Sequence, residues 1–180
     1  MIRTRVGYAG GKTALPTYRA IGDHTETIEI DFDPTVVGYE KLLEMFFASH
    51  NACASPWSQQ YMSAIFTHGD VQMRLAMAAA AKVAKDRGDD VKTLIEPARR
   101  FYLAEDYHQK YRLRSRRDVV DELTAIYPKL EDFVNSTAAT RLNGYFAGYG
   151  SMADFETELP KFGLSKAAEA KARNLAHGLR

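Results

Sequence analysis

Glu26 is the residue of this sequence whose position most invites a chemical role. In the alternating run from His24 to Asp33 it falls on the face that carries Ile28, Ile30 and Phe32, while Thr27, Glu29, Asp31 and Asp33 face the other way. An ionised carboxylate on an apolar face is costly without a partner, so this placement predicts a carboxyl that tends to keep its proton. A protonated carboxyl near neutral pH is what a general acid requires. The plainer alternative is a strand-end glutamate whose tip reaches water. His24 shares the face two positions earlier, either as a second titratable group or as a hydrogen-bonded structural histidine. Tyr8 and Tyr61, each expected at the end of a strand, can present phenolic hydroxyls to a common cleft or can be ordinary core aromatics. Cys53 follows His50 by three residues, a pairing able to activate a thiol, although neither residue has an evident orienting partner. No Cys/His spacing fits a metal site, and no phosphate loop, dinucleotide fingerprint or Gly-x-Ser-x-Gly elbow occurs.

The elements that would position these groups read as follows. Ile2 to Tyr8 alternates and predicts a strand, broken by Ala9-Gly10-Gly11. After a polar loop to about Asp23 comes the strand of His24 to Asp33, stopped by Pro34. Tyr39, Leu42, Leu43, Phe46 and Phe47 have helical spacing. A loop from Asn51 to Ser58 leads to a strand near Tyr61 to Thr67, and an alanine-rich helix then runs from about Asp70 to Gly88. Val91 to Ile95 predicts a short strand closed by Pro97, and Ala104 to Leu113 a helix with Tyr107 and Tyr111 on one side. Beyond Ser115 the pattern changes to short amphipathic helices, a Gly/Tyr stretch from Asn143 to Gly150, and a last helix capped by Ser165 and ended near His177 and Gly178. The expected fold is α+β, a two-layer arrangement with a helical C-terminal extension.

Composition narrows the function classes. The 180 residues are 46% hydrophobic and 26% charged, the proportions of a soluble globular protein. A formal net charge of +1 argues against nucleic acid or a membrane surface as partner. The one local excess, Arg112, Arg114, Arg116 and Arg117, reads as a solvated helix end or a docking patch. No run of apolar residues is long enough to span a bilayer, and Ile-Arg-Thr-Arg after Met1 lacks the apolar core of a signal peptide. A single cysteine forbids an internal disulfide and suits a reducing compartment, so the cytoplasm is the expected location.

Four blocks in order resemble the A-type peptide methionine-S-sulfoxide reductase family: Val6-Gly7-Tyr8-Ala9-Gly10-Gly11, His24-Thr25-Glu26-Thr27, Gln60-Tyr61-Met62-Ser63-Ala64-Ile65-Phe66, and Ala104-Glu105-Asp106-Tyr107-His108-Gln109-Lys110-Tyr111. The second block departs from the family's Gly-His-Ala-Glu at Asp23 and Thr25, and Pro56 stands near the position of an acidic family residue. The resemblance implies that a cysteine thiolate attacks the sulfoxide sulfur while a glutamic acid protonates the oxygen. Methionine and a cysteine sulfenic acid would result, and thioredoxin or another thiol would reduce the latter. It places the acid at Glu26, the sulfoxide-binding tyrosines at Tyr8 and Tyr61, and flanking positions at His24 and Tyr111, with no bound cofactor and no metal. Expected partners are oxidised proteins or free methionine sulfoxide and a thioredoxin-like reductant. The resemblance implies a reductase-like domain over residues 1–115 and a helical extension over 116–180. The family's Gly-Cys-Phe-Trp-Gly block does not occur in these residues, and Cys53 is no displaced copy of it, because Trp57 lies four positions on with no Phe-Trp. The expectation is therefore a chain truncated before its catalytic cysteine. The alternative is an inactive sulfoxide-binding or interaction module.

Overall fold

The computed structural model describes residues 1–176 and Leu179, so the C-terminal signal expected at His177 and Gly178 lies outside the described residues. Five strands and eight α-helices are present among the described residues, a mixed α+β architecture with a helical C-terminal region. No helix of the described residues is long and apolar enough to cross a membrane. The chain divides into two compact units: one comprises Val6–Ile28 and Phe32–Ala104, the other Met1–Arg5, Glu29–Asp31 and Glu105–Arg180.

Strand β1 (Arg3–Ala9) is central in a sheet of order β2-β1-β5, between β2 (Thr25–Asp31) and the two-residue β5 (Tyr102–Leu103). Within the first unit Gly7 pairs with Leu103 and Tyr8 with Tyr102 in antiparallel register. β5 carries no periodic signal of its own, since two residues are too few to show one. Helix α1 (Tyr39–Ala48) packs Leu43 and Phe47 against α2 (Asp70–Arg87), and strands β3 (Ala64–Thr67) and β4 (Leu94–Pro97) run parallel with Ala64 opposite Leu94. α2 is the crossover between those parallel strands, as a strand–helix–strand unit requires. It ends where expected, at Gly88 with φ 66°.

Three expected elements differ. The strand expected over Val91 to Ile95 runs instead from Leu94 to Pro97. The strand after the 51–58 loop begins at Ala64 rather than near Tyr61, because residues 59–61 form a turn held against the start of β2. There the Thr25 hydroxyl donates to the Gln59 carbonyl at 3.0 Å and the Glu26 amide to the Gln60 carbonyl at 2.9 Å. The helix expected over Ala104 to Leu113 is instead a 3-10 turn (Asp106–His108) and a one-turn helix α3 (Tyr111–Arg114). Lys110 between them has φ +53°, which no continuous right-handed helix accepts, so Tyr107 and Tyr111 do not share a helix face.

In the second unit, α4 (Arg117–Ile126), α5 (Leu130–Asn135), α6 (Thr137–Phe146), α7 (Met152–Glu158) and α8 (Lys166–Leu175) enclose a core that includes Leu113, Leu123, Phe133, Leu142 and Phe155. The Ser136, Ser151 and Ser165 side chains each accept the third amide of the helix that follows, so three of these helices start on a serine cap. α6 absorbs the first half of the Gly/Tyr stretch. Of the arginine run, Arg112 and Arg117 are exposed, while Arg114 lies over the Phe133 ring at 5.3 Å and donates to the Gln109 carbonyl.

Candidate active site

A hydrogen-bonded group of polar side chains gathers in the first unit where β2 begins and the turn before β3 passes it. Glu26 is the first outward residue of β2; its Oε1 accepts from Gln60 Nε2 at 2.7 Å. The same amide nitrogen lies 3.1 Å from the Tyr61 hydroxyl, which in turn stands 3.4 Å from the hydroxyl of Tyr18. The fold thus joins the predicted pair Glu26 and Tyr61 through Gln60. Hydrogen bonding to Tyr18, loss of water and the nearby Glu26 charge push the Tyr61 phenol up to about 12, so it remains a donor across the physiological range.

The expectation that Glu26 is buried on an apolar face is corrected by the structure in favour of the alternative, a glutamate that reaches water: Glu26 is exposed, and so is Ile28 beside it at 54%. Alternation along β2 is right but the protected side is the opposite one. Thr25 is buried with its hydroxyl on the Gln59 carbonyl, and Thr27 is half-buried with its hydroxyl on the Thr25 carbonyl. Polar side chains can occupy the covered face because each finds a partner there. In the second unit, likewise, Arg5 pairs with Glu29 at 2.7 Å and with Asp31 at 3.1 Å.

His24 is fully buried, and both ring nitrogens are taken by the backbone. Nδ1 accepts from the Gly11 amide at 3.2 Å, which leaves the proton on Nε2 to donate to the Thr13 carbonyl at 2.8 Å. Its ring meets Tyr102 edge-on at 5.3 Å. His24 therefore pins the loop after β1 and offers no nitrogen to a ligand. The loop needs glycine here, since a Cβ at Gly11 would fall 2.4 Å from Asp23 Oδ1 and 2.7 Å from His24 Cδ2. Asp23 closes the same loop by accepting from the Lys12 and Thr13 amides and the Thr13 hydroxyl, which holds its carboxyl well below the usual range. Tyr8 is buried at the end of β1, the strand next to the one carrying Glu26, opposite Tyr102 in register. Tyr111 belongs to the second unit and is exposed.

Cys53 and His50 do not form an activated pair. His50 Nε2 is 2.7 Å from the Ser63 hydroxyl and Nδ1 is 2.9 Å from the Phe46 carbonyl, while the Cys53 thiol faces the Asp89 carbonyl at 3.8 Å. No group of three His, Cys, Asp or Glu residues among the described residues is arranged to hold a metal ion. Gln60, Tyr18 and Trp57 belong to the cluster without having been singled out from the sequence. Gln60 was visible as the neighbour of Tyr61 in its block; Tyr18 sits in an irregular polar loop with no pattern to mark it.

Residues 1–142 match the family model described as peptide methionine sulfoxide reductase, and residues 130–168 that of the helical domain of selenoprotein methionine sulfoxide reductase A. A peptide methionine sulfoxide reductase of Drosophila melanogaster is 42% identical over 167 residues, which are 92% of this chain and 67% of the fly protein. The rice (Oryza sativa subsp. japonica) peptide methionine sulfoxide reductase A5 is 42% identical over 153 residues, covering 82% of this chain and 59% of the rice protein. Among solved structures, Mxr1 from Saccharomyces cerevisiae in its reduced form aligns with TM-score 0.57 at 28% identity, over 60% of this chain and 68% of that one. Methionine sulfoxide reductase A of Corynebacterium diphtheriae aligns with TM-score 0.53 at 32% identity, over 62% of each chain. The chain spans 67% and 59% of the lengths of these two curated relatives.

Proposed function

Since the chain belongs to the peptide methionine sulfoxide reductase family, we propose that the protein reduces methionine S-sulfoxide, free or in proteins, to methionine, with Glu26 as the proton donor to the departing oxygen. The observation that carries this reading is the bond from Gln60 Nε2 to Glu26 Oε1, with Tyr61 on the same amide. Gln60 occupies one carboxyl oxygen, which leaves Oε2 to carry a proton toward the substrate. Glu26 is exposed, but a substrate seated on it would exclude water and favour the neutral carboxyl. Tyr61 and Tyr8 supply phenolic donors for the sulfoxide oxygen, and His24 shapes the loop beside them. Tyr111 is assigned a flanking role by resemblance.

The reaction balances as follows. A thiolate attacks sulfur and forms an S–S bond while Glu26 protonates the oxygen, and the S–O bond breaks with its electron pair leaving on that oxygen as hydroxide. The hydroxide then attacks the sulfur that came from the thiolate, and the S–S bond breaks with its pair returning to the thioether, which leaves methionine and a sulfenic acid. The sulfoxide is reduced to thioether and the thiol is oxidised. Two further thiols, from a small reductant or a thioredoxin-like protein, then return the sulfenic acid to thiol, releasing water and a disulfide. The thiolate is not assigned to Cys53, the single cysteine of these 180 residues, whose sulfur faces Asp89 and whose neighbouring histidine is engaged elsewhere; it comes from outside these residues, and in an assay dithiothreitol supplies it. That placement also favours a second reading, in which these 180 residues bind a sulfoxide without reducing it.

A reductase assay with dithiothreitol on each sulfoxide epimer tests the proposal. Turnover of the S epimer alone, reduced about 100-fold or more by Glu26→Gln and unchanged by Cys53→Ser, is the expected result. Full activity of Glu26→Gln would remove Glu26 from the mechanism, and saturable binding without turnover would select the second reading.

A further inference from the structure

The His50 imidazole belongs to a chain of hydrogen bonds that ends on the turn carrying Gln60 and Tyr61. His50 Nδ1 lies 2.9 Å from the Phe46 carbonyl in the closing turn of α1. A carbonyl only accepts, so Nδ1 holds the ring proton and donates it. In the neutral ring Nε2 is then an acceptor, and the Ser63 hydroxyl 2.7 Å away donates to it. With its one proton committed there, Ser63 Oγ accepts from the Thr93 hydroxyl at 2.8 Å. Every proton along Thr93, Ser63, His50 and Phe46 is thereby assigned. The Phe46 ring also meets the imidazole edge-on, with centroids 4.7 Å apart. His50, Ser63 and Thr93 are all half-buried, where such bonds are stronger than in open water.

Ser63 stands two residues beyond Tyr61 and three beyond Gln60. The turn between β2 and β3 is therefore fastened at both ends. At its start the Thr25 hydroxyl and the Glu26 amide hold the Gln59 and Gln60 carbonyls. At its end the Ser63 carbonyl accepts from the Leu94 amide at 2.9 Å, and the Ser63 hydroxyl is caught between His50 and Thr93. Between these fastenings Gln60 Nε2 reaches both Glu26 and Tyr61. A single backbone bond leaves the chain free to pivot about it, and the side-chain bonds of Ser63 to other elements remove that freedom. Resting on the reductase reading above, we infer that His50 is a positioning residue of the reaction: through Ser63 it sets where the turn presents Gln60 and Tyr61 to the Glu26 carboxyl. It acts through that hydroxyl and not on the reacting atoms.

The Tyr61 phenol reports the position of the turn without any turnover, because its ionisation, at about 12, depends on contact with Tyr18 and Glu26. Ser63→Ala keeps the backbone bond to Leu94 and deletes only the hydroxyl. His50→Ala deletes the ring, and His50→Gln replaces it by an amide whose N–H and oxygen can serve Phe46 and Ser63. By NMR of isotope-labelled tyrosine, the Tyr61 ionisation should move down toward the ordinary tyrosine value in both alanine variants and stay near the parent's in His50→Gln. With dithiothreitol as the thiol, kcat should fall about tenfold in each alanine variant while KM stays within about twofold, and the double variant should fall no further than either single one. A Tyr61 titration unmoved in Ser63→Ala, or a double variant in which the two losses multiply, would overturn the inference. Should His50→Ala fail to fold, Ser63→Ala and His50→Gln carry the same comparison, and a Gln variant shifted as far as the Ser63 one would also overturn it. A protein without turnover on any sulfoxide would strike the reductase reading and leave the Tyr61 titration to decide whether His50 sets the turn.

Discussion

Glu26 and Gln60 are joined twice, once in each direction: the Glu26 amide donates to the Gln60 carbonyl at 2.9 Å, and the Gln60 side-chain amide returns to Glu26 Oε1 at 2.7 Å. The backbone bond sets the spacing between β2 and the turn before β3, and the side-chain bond fixes the carboxyl's orientation within that spacing. An exposed carboxylate is otherwise free to sample many rotamers. Gln60→Ala keeps the first bond and removes the second, so it should affect chemistry far more than folding. The expected result is a fall in kcat of about ten- to a hundredfold with KM nearly unchanged, and a change in unfolding free energy within about 0.5 kcal/mol. Parallel kinetics and thermal melts check it, and a kcat equal to the parent's would show that the carboxyl does not depend on its amide partner.

Tyr61 holds its proton because Tyr18 bonds it, because water is partly removed, and because the Glu26 charge opposes a second negative charge nearby. Tyr18→Phe removes the first of these causes. The Tyr61 ionisation, near 12 in the parent, should then move down toward the ordinary tyrosine value, while Tyr61 remains protonated at neutral pH. An NMR titration with isotope-labelled tyrosine follows this ring by itself. An unmoved Tyr61 titration would mean that burial and Glu26 dominate. Tyr61→Phe should lower kcat by about ten- to a thousandfold if the phenol stabilises the sulfoxide oxygen in the transition state.

The strands and helices of the first unit could be read from periodicity because their apolar faces are regular: Leu43 and Phe47 on α1, and Gly88 closing α2, stand where alternation and capping put them. The side of β2 that is covered could not. Alternation separates Glu26 and Ile28 from Thr25 and Thr27, but which face is protected depends on partners far away in sequence, such as Gln59 for Thr25. Hydrophobicity alone therefore chose the wrong face, and with it the wrong environment for Glu26. The break at Lys110 was equally hidden, since a positive φ at a lysine is imposed by what its side chain bonds and not by its intrinsic preference. Of the site, the two residues marked by spacing and block resemblance, Glu26 and Tyr61, do come together; Gln60, which links them, was legible only as a neighbour.

Lys110 makes a stability prediction with a definite sign. Its ammonium is 4% exposed and donates to the Thr4 carbonyl at 2.6 Å, the Thr4 hydroxyl at 3.1 Å and the Thr140 hydroxyl at 2.9 Å. None of these acceptors is charged, so burial, and then repulsion from Arg5, bring its pKa down to about 8. Below pH 8 both folded and unfolded chains hold the proton and the fold bears the full cost of burying it. Between about 8 and the ordinary lysine value near 10.4 the unfolded chain retains a proton that the folded chain has released. More protons bound by the unfolded state means that stability rises with pH across that window, by on the order of 3 kcal/mol from this group. Lys110→Met should abolish that rise. Urea midpoints measured from pH 7 to 10 decide it, and a parent protein whose Lys110-dependent stability falls over this range would refute the burial argument.

Gly150 and Tyr145 supply the last test, in the second unit. The Tyr145 ring is 4% exposed and meets Phe155 edge-on at 5.1 Å; its hydroxyl donates to Glu158 at 2.8 Å and accepts from Arg141 at 3.0 Å. The chain turns back over this ring at Gly150, where φ is +92° and an added Cβ would lie 2.8 Å from Tyr145 Cε1. Gly150→Ala therefore faces two penalties, a backbone conformation unfavourable to L residues and a clash with a ring held in place by its hydrogen bonds. Together they should cost about 2–4 kcal/mol. Tyr145→Leu alone should cost about 2–4 kcal/mol through lost packing and a broken bond to Glu158. In the double variant the clash is gone and only the backbone penalty of about 1–3 kcal/mol adds to the loss from Tyr145→Leu, so the two single losses should sum to more than the double variant shows. Urea unfolding of the four proteins closes this cycle; strict additivity would mean that the ring and the turn do not press on one another.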